Sequence, residues 1–293
     1  MSVSLAKVAT EFLDRPGLAP STVRSYESTL LPVLKQYGRW PIELLDRESI
    51  GEYLNDRKNL SYTTHHRHQA ILQALFNFAV EQGYIRVNPL AGLRRRKPNP
   101  EKGEHQSDQT IHYLTTEQLT VLYQQLRSDN RLYTLVKLLH CSGARISEVL
   151  ALDESDMDWG SQKFQVLGKG NKQRWCFYND EAAQLLEKYR KYYRFSGHSA
   201  LFTAKQPMSG HVTRLSYSTA YHRWRTLTNQ NPLLRGLRLH DLRHTFATER
   251  VGLMGIEELR ALMGHEKIET TLRYQKVTSE RAKYIAKKAF QKL

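Results

Sequence analysis

The chain has 293 residues, 40% of them apolar and 25% charged, with a formal net charge of +15 at pH 7. That length supports one large domain or two ordinary ones, and no stretch reaches the roughly 18 consecutive apolar residues of a membrane span. Its two cysteines, Cys141 and Cys176, are far apart and outside CxxC spacing, which argues against a disulfide framework or a zinc cluster and fits a reducing cytoplasm.

The first segment, MSVSLAKVATEFLDRP, carries acidic residues and lacks an apolar core or cleavage site, so no signal peptide is expected. Residues 1–93 read as four or five short helices. Ser21 is the expected N-cap of a helix in which Val23, Tyr26, Leu30, Val33 and Leu34 recur at helical spacing. Ser61 or Thr63 caps a second strong helix running through HQAILQALFNFAVEQ to Gly83, and Asn88-Pro89 breaks the pattern. Residues 94–110, RRRKPNPEKGEHQSDQT, are polar with little to bury and read as a basic interdomain linker. Arg94, Arg95, Arg96 and Lys97 within it suit either a strap against phosphates or a solvated charge run.

From residue 111 the pattern is mixed. Thr115 or Thr116 opens a helix, and LYTLVKLLHCSGARISEVLAL continues helical across a break at Gly143. KFQVLGKGNKQRWCFY has two aromatic and aliphatic runs flanking Gly168-Lys169-Gly170-Asn171, a β-hairpin signal. Helices resume at NDEAAQLLEKYRKYY and through 240–293. The expected fold is mainly α with a small antiparallel sheet: a helical domain at 1–93, the linker, and a larger domain at 111–293.

Charge follows this division. Residues 1–93 hold ten Lys or Arg against nine Asp or Glu, whereas residues 111–293 hold 29 against 17. A domain this basic usually meets a polyanion, most often nucleic acid.

Six residues of the larger domain together contain the parts for breaking and rejoining a phosphodiester without a metal: Arg145, Lys169, His240, Arg243, His265 and Tyr274. Such a reaction needs a nucleophile, charge neutralisation at the nonbridging oxygens and a proton for the departing oxygen. A phenol, with a pKa of about 10, attacks only with help from a base or nearby positive charge. Tyr274 becomes a candidate through its neighbours; most of the 16 tyrosines are packing residues.

Arg145 and Arg243 offer planar guanidinium forks that bond two phosphate oxygens at once. Glu148, three residues after Arg145 on one helical face, can orient it. His240 and Arg243, three apart, share a face, and Asp241 and His244 are expected to point elsewhere and make structural bonds. His265, following Gly264 at a helix start, can donate to a phosphate oxygen.

Lys169 stands at the hairpin tip, where it can protonate a leaving oxygen, with Lys172 and Arg174 as backbone contacts. The GKG here lacks the rest of a Walker pattern, so no nucleotide site is expected. His65, His66 and His68 lie close in sequence without carboxylate or cysteine partners, so no metal is expected there. Thr64, His65, Arg67 and His68 suit phosphate and base-edge contacts instead.

The boxes SGARISEVLAL, LGKGNKQR, LHDLRHTFAT and LMGHEKIETTLRY, in this order and spacing, resemble those of the tyrosine recombinase (phage integrase) family, most of all its two-domain, Xer-type members. SYTTHHRHQAILQALFNFAVEQGYIRVNP is similar to the family's core-binding helical domain, so the resemblance covers nearly the whole chain. One departure is Ala144, where many relatives carry a larger aliphatic residue, a packing difference.

The resemblance implies that Tyr274 forms a 3′-phosphotyrosyl link and that Arg145, Arg243 and His265 hold the scissile phosphate. It further implies Lys169 as general acid, His240 assisting proton transfer at the tyrosine, and Glu148 supporting Arg145. It implies double-stranded DNA with short inverted-repeat core sites as partner, and a homo-tetramer on two such sites passing through a Holliday junction, with or without a partner recombinase or accessory protein. No metal or nucleotide cofactor is implied, and the setting is cytoplasmic, at the nucleoid.

The chain is expected to begin directly at the core-binding domain, without an arm-binding domain. Its tail, with Ala282, Ile285, Ala286, Ala289 and Phe290 at helical spacing, is expected to dock on a neighbouring protomer in a ring. The competing readings are a type IB topoisomerase-like relaxer, with one DNA and no partner exchange, and a non-catalytic DNA-binding protein, which has no need of the six residues together.

Overall fold

The computed structural model describes residues 2–57, 59–104, 111–168 and 172–275. The chain divides into two compact units, Met1–Gln109 and Thr110–Leu293.

The first unit is helical: α1 (Leu5–Leu13), α2 (Pro20–Tyr37), α3 (Arg47–Asn55) and α4 (Tyr62–Glu81). Short side chains accept from the backbone at three of the starts: Ser4 from Lys7, Asp46 from Ser49 and Ser61 from Thr64. The start of α2 differs from the expected Ser21 cap. Ala19 is the N-cap and Pro20 the first helical residue, since a proline needs no partner for a missing N–H and already has helical φ. Leu5, Phe12, Leu30, Val33, Ile50, Tyr53, Leu72, Leu75 and Phe76 are buried together as the core.

Residues 94–104 are not a free linker but part of this unit. Arg96 pairs with Glu104 at 2.8 Å, and Glu104 accepts from the backbone N–H of Tyr62 (2.8 Å) and of Asn99 (2.9 Å). One carboxylate thus satisfies an orphan donor at the start of α4 and folds the segment back on itself, a contact that composition does not reveal.

The second unit begins with α5 (Thr116–Leu126), closed by a capping box between Thr115 and Gln118, and α6 (Asn130–Ser142). Gly143 ends α6 at φ +65°, and a Cβ there would lie 2.4 Å from the ring of Phe246, so only glycine permits both the turn and the approach. The chain therefore restarts as α7 (Ile146–Ala151), with Arg145 at its N-cap.

An antiparallel sheet follows, β1 (Met157–Asp158), β2 (Lys163–Leu167) and β3 (Gln173–Phe177), in which Val166 pairs with Arg174 and Phe164 with Cys176. After α8 (Asp180–Tyr192) comes a second hairpin, β4 (Thr203–Lys205) and β5 (Val212–Arg214), then α9 (Tyr217–Asn229). The last described elements are α10 (Asp241–Arg250), α11 (Ile256–Met263), α12 (Ile268–Leu272) and a 3-10 turn at Arg273–Gln275.

A large core gathers Leu122, Leu135, Leu138, Val149, Phe164, Leu186 and Trp224. A smaller one joins Phe246, Ala247, Leu259, Met263 and Tyr274, and it is this packing that carries the terminal turn back onto α10. The tail expected to dock on a neighbour lies outside the described residues, as does Lys169.

Candidate active site

Arg145, Glu148, Arg243, His265 and Tyr274 are brought together by the break at Gly143, α10 and the turns flanking α12. Glu148, buried on the first turn of α7, takes the Arg145 backbone N–H at 2.7 Å and its guanidinium at 2.8 Å. Arg145 also donates to the Gly264 carbonyl at 3.2 Å. The expected Arg145–Glu148 pair is present, and it has a third member.

Arg174 donates from Nη1 and Nη2 to the two oxygens of Glu148, at 2.9 and 2.7 Å, and from Nε to the Leu262 carbonyl at 3.1 Å. Its reading as a DNA backbone contact is thereby corrected. Strand alternation puts Arg174 on the same face of β3 as buried Cys176, toward the protein interior. Burial works to raise the Glu148 pKa, but hydrogen bonds and charge from Arg174 and Arg145 outweigh it and hold the carboxyl at about 2.

Arg243 is 3% exposed, and among the described residues its hydrogen-bond acceptors are carbonyls, Gly143 at 2.6 Å and Met263. Burial, then the charges of Arg145 and Arg174, bring its pKa down to about 10. Two guanidiniums thus share the Glu148 carboxylate and a third, that of Arg243, is bonded to carbonyls alone among the described residues, which leaves the site short of negative charge.

His265 follows Gly264, whose φ is +62° and whose missing side chain leaves room for Arg174; a Cβ there would meet its Nη1 at 2.8 Å. The His265 Nδ1 shares a hydrogen bond with Thr271 Oγ1 at 2.8 Å, and among the described residues Nε2 has no hydrogen-bond partner. Burial, followed by the charges of Arg243, Arg145 and Arg174, pushes its pKa down to about 3.

Tyr274 is 8% exposed, with its ring parallel to that of His265 at 6.2 Å. Its hydroxyl lies 2.7 Å from His244 Nδ1. Burial raises the phenol pKa, although Arg243, Arg273 and Arg145 act in the opposite direction.

The expectation that His244 points elsewhere is therefore corrected. Residues 240 and 244 are one helical turn apart, and their rings meet edge to face at 4.8 Å. That i,i+4 spacing was the available signal for His244. His240 itself is an exposed residue at the N-cap of α10. Beside the cluster lies a cavity of about 570 Å³ whose lining includes Arg145, Lys172, Arg260, His265 and Lys267, a basic wall of the size a ligand cleft needs.

The candidate DNA contacts of the first unit divide. Thr64, Arg67, Arg94 and Arg95 are exposed, as is Lys172 in the second unit. His65 is not available: it is buried on α4 with Nε2 3.0 Å from the Leu54 carbonyl, a structural tie to α3. Arg96 is committed to Glu104. His68 is half-buried, with Nδ1 unpartnered among the described residues. Among those residues no group of three or more His, Cys, Asp or Glu is arranged to hold a metal ion, and no helix is long and apolar enough to cross a membrane.

A buried tyrosine hydroxyl beside arginines that lack a full complement of anions is an arrangement suited to phosphoryl transfer onto oxygen. The family model described as "Phage integrase family" matches residues 112–281, and the chain belongs to that family, the tyrosine recombinases, enzymes that cleave and rejoin DNA. It is 28% identical over 253 residues to the tyrosine recombinase XerC of Staphylococcus saprophyticus subsp. saprophyticus, covering 83% of this chain and 80% of that protein. Two solved structures share the fold. One is the Tn1549 transposon integrase in complex with a circular intermediate DNA (TM-score 0.72, 20% identity, 98% of this chain and 100% of that one). The other is a lambda integrase tetramer bound to a Holliday junction (TM-score 0.67, 18% identity, 91% and 78%).

Proposed function

We propose that this chain is a site-specific recombinase in which Tyr274 attacks a DNA phosphate held by Arg145, Arg243 and His265. The observation that carries the reading is the company of the Tyr274 hydroxyl: a buried Arg243 bonded to carbonyls and an Arg145 steadied by Glu148, both poised for an anion. Placing a phosphodiester there adds the missing negative charge, and fixed guanidiniums stabilise the further charge that develops as the bond exchanges. The phosphotyrosyl ester conserves the energy of the broken bond, so the reverse attack by a 5′ hydroxyl needs no nucleotide.

In this reading Lys169 is the acid for the departing 5′ oxygen, and the positive charge of residues 111–293 draws the DNA in. In the same reading the exposed Arg67, Thr64, Arg94 and Arg95 of the first unit contact the duplex through phosphates and base edges. The partner is double-stranded DNA with short inverted repeats. The working assembly is a homo-tetramer on two such sites, exchanging one strand pair, passing through a Holliday junction and exchanging the second. The setting is the cytoplasm, at the nucleoid.

Covalent trapping tests this. Wild-type protein and Tyr274→Phe are mixed with fragmented genomic DNA, stopped with denaturant, and the protein-linked ends sequenced. Linked ends clustered at one short inverted-repeat site, with wild type alone, are the expected result. Links scattered without preference would favour a topoisomerase-like relaxer, and links formed by Tyr274→Phe would remove the nucleophile assignment.

A further inference from the structure

We infer that Arg260 and Lys267 form a second phosphate subsite, which holds the strand released by cleavage through the first phosphate beyond its 5′ hydroxyl. This rests on the reading of Tyr274 as nucleophile. The cavity of about 570 Å³ extends past the groups assigned to the scissile phosphate: Arg145 and His265 line it, whereas Tyr274 and Arg243 do not. Its outer wall holds Arg260 of α11, Lys267 beyond the Gly264 turn, and Gly168 and Lys172 of the hairpin.

These cations have charge to spare. The exposed Lys267 side chain has no hydrogen-bond or ion-pair partner among the described residues. Arg260 donates from Nε to Glu257 at 2.6 Å and from Nη1 to the His265 carbonyl at 3.3 Å, and its Nη2 has no acceptor among those residues. Against Arg260, Lys267 and Lys172, the wall carries one acid among the described residues, the exposed Glu266.

The spacing to the scissile phosphate is built in. The Arg260 carbonyl accepts the His265 backbone N–H at 3.1 Å while the Arg260 guanidinium holds the His265 carbonyl, so both ends of Arg260 grip that residue. Successive phosphates of one strand are about 3.4 Å apart along the duplex axis. A backbone seated on Arg145 and His265 therefore carries its next phosphate to this wall.

Which neighbour arrives there follows from in-line attack, in which nucleophile and leaving oxygen lie on opposite sides of phosphorus. Tyr274 is off the cavity, whereas Gly168 lines it and immediately precedes Lys169, the acid assigned to the departing oxygen. The cavity is thus on the leaving-group side, and the phosphate it takes belongs to the strand ending in the 5′ hydroxyl. Charge-assisted contacts to that phosphate keep the end beside the phosphotyrosyl ester until it, or an incoming 5′ end in the same seat, attacks.

The two half-reactions depend on this seat unequally. During cleavage the strand is still continuous and the whole duplex positions it; during rejoining the free end relies on its own contacts. Lys267→Ala, Arg260→Ala and the double variant are tested in the full-length chain, on a duplex carrying the short site recovered by covalent trapping. The departing strand is made short enough to dissociate, and rejoining is then measured with added 5′-hydroxyl oligonucleotide. The half-saturating oligonucleotide concentration should rise about tenfold or more in each variant, with covalent linkage slowed less. A methylphosphonate replacing the first phosphate of the oligonucleotide should reproduce the deficit in wild type and add nothing in the double variant.

Half-saturation at the wild-type concentration overturns the inference. So does a methylphosphonate penalty as large in the double variant as in wild type, or an equal slowing of linkage and rejoining, which would make these cations general attachments for DNA. Absence of linkage by wild type itself strikes the nucleophile reading and takes this one with it.

Discussion

Arg174 grips both carboxylate oxygens of Glu148 from the inner face of the hairpin, at 2.9 and 2.7 Å, while Arg145 donates to Oε1 of the same carboxylate at 2.8 Å. The Arg174 and Glu148 side chains are only 11% and 6% exposed. This is a buried ion pair whose role is to hold a half-exposed Arg145 in one orientation.

Removing either end should therefore be costly. Arg174→Ala leaves Glu148 buried with half its partners, and a buried pair broken in this way costs about 3–5 kcal/mol. Urea denaturation of the variant should show that loss together with reduced DNA cleavage. A change below about 1 kcal/mol would mean the pair contributes little to the fold.

Gly143→Ala combines a left-handed backbone at φ +65° with a Cβ 2.4 Å from the Phe246 ring. The expected destabilisation is about 2–4 kcal/mol, backbone strain plus overpacking. Gly197→Ala provides the contrast, with φ +90° but open space around the added carbon, and should lose only about 1–2 kcal/mol. Equal melting-temperature shifts for the two would show that the Phe246 approach is easily relaxed.

The pH dependence follows from three depressed pKa values. Glu148 is held at about 2 against 4.5, His265 at about 3 against 6.5 and His244 at about 4 against 6.5. In each case the unfolded chain binds the proton more readily, so the contribution is present above the unfolded value and is lost as pH falls. Stability should decline from about pH 6.5 downward for the histidines, and below about 4.5 for Glu148. An anion bound among the arginines raises the His265 pKa toward its ordinary value and makes the decline shallower. Melting temperatures between pH 7.5 and 4.5, with and without sulfate at matched ionic strength, measure this; identical slopes would place no anion near His265.

His65 and Arg67, two residues apart on α4, should behave oppositely. His65→Ala removes a buried bond to the Leu54 carbonyl and should cost about 1–3 kcal/mol of stability in the first unit. Arg67→Ala should leave stability within about 0.5 kcal/mol and lower the salt slope of DNA binding by about one. An unchanged slope removes Arg67 from the phosphate contacts.

What the sequence determined by itself was local. Ser61 or Thr63, and Thr115 or Thr116, announced helix starts because a cap is made within one turn of chain, and the caps are Ser61 and Thr115. The hairpin around Gly168 was legible from alternating runs beside glycines. Arg145, Arg243, His265 and Tyr274 stood out because their boxes came in a recognisable order.

Only the tertiary structure decided which partner each of those faces would meet. Spacing puts Arg174 on one side of a strand and His244 on one side of a helix, but it does not say that Glu148 covers the first and Tyr274, thirty residues on, the second. The same holds for His65, turned inward by α3, and for Arg96, claimed by Glu104. Periodicity is a property of one element, whereas burial and ion pairing depend on the element packed against it. The pairings of Arg174 with Glu148 and of His244 with Tyr274 exist only because segments distant in sequence pack against one another.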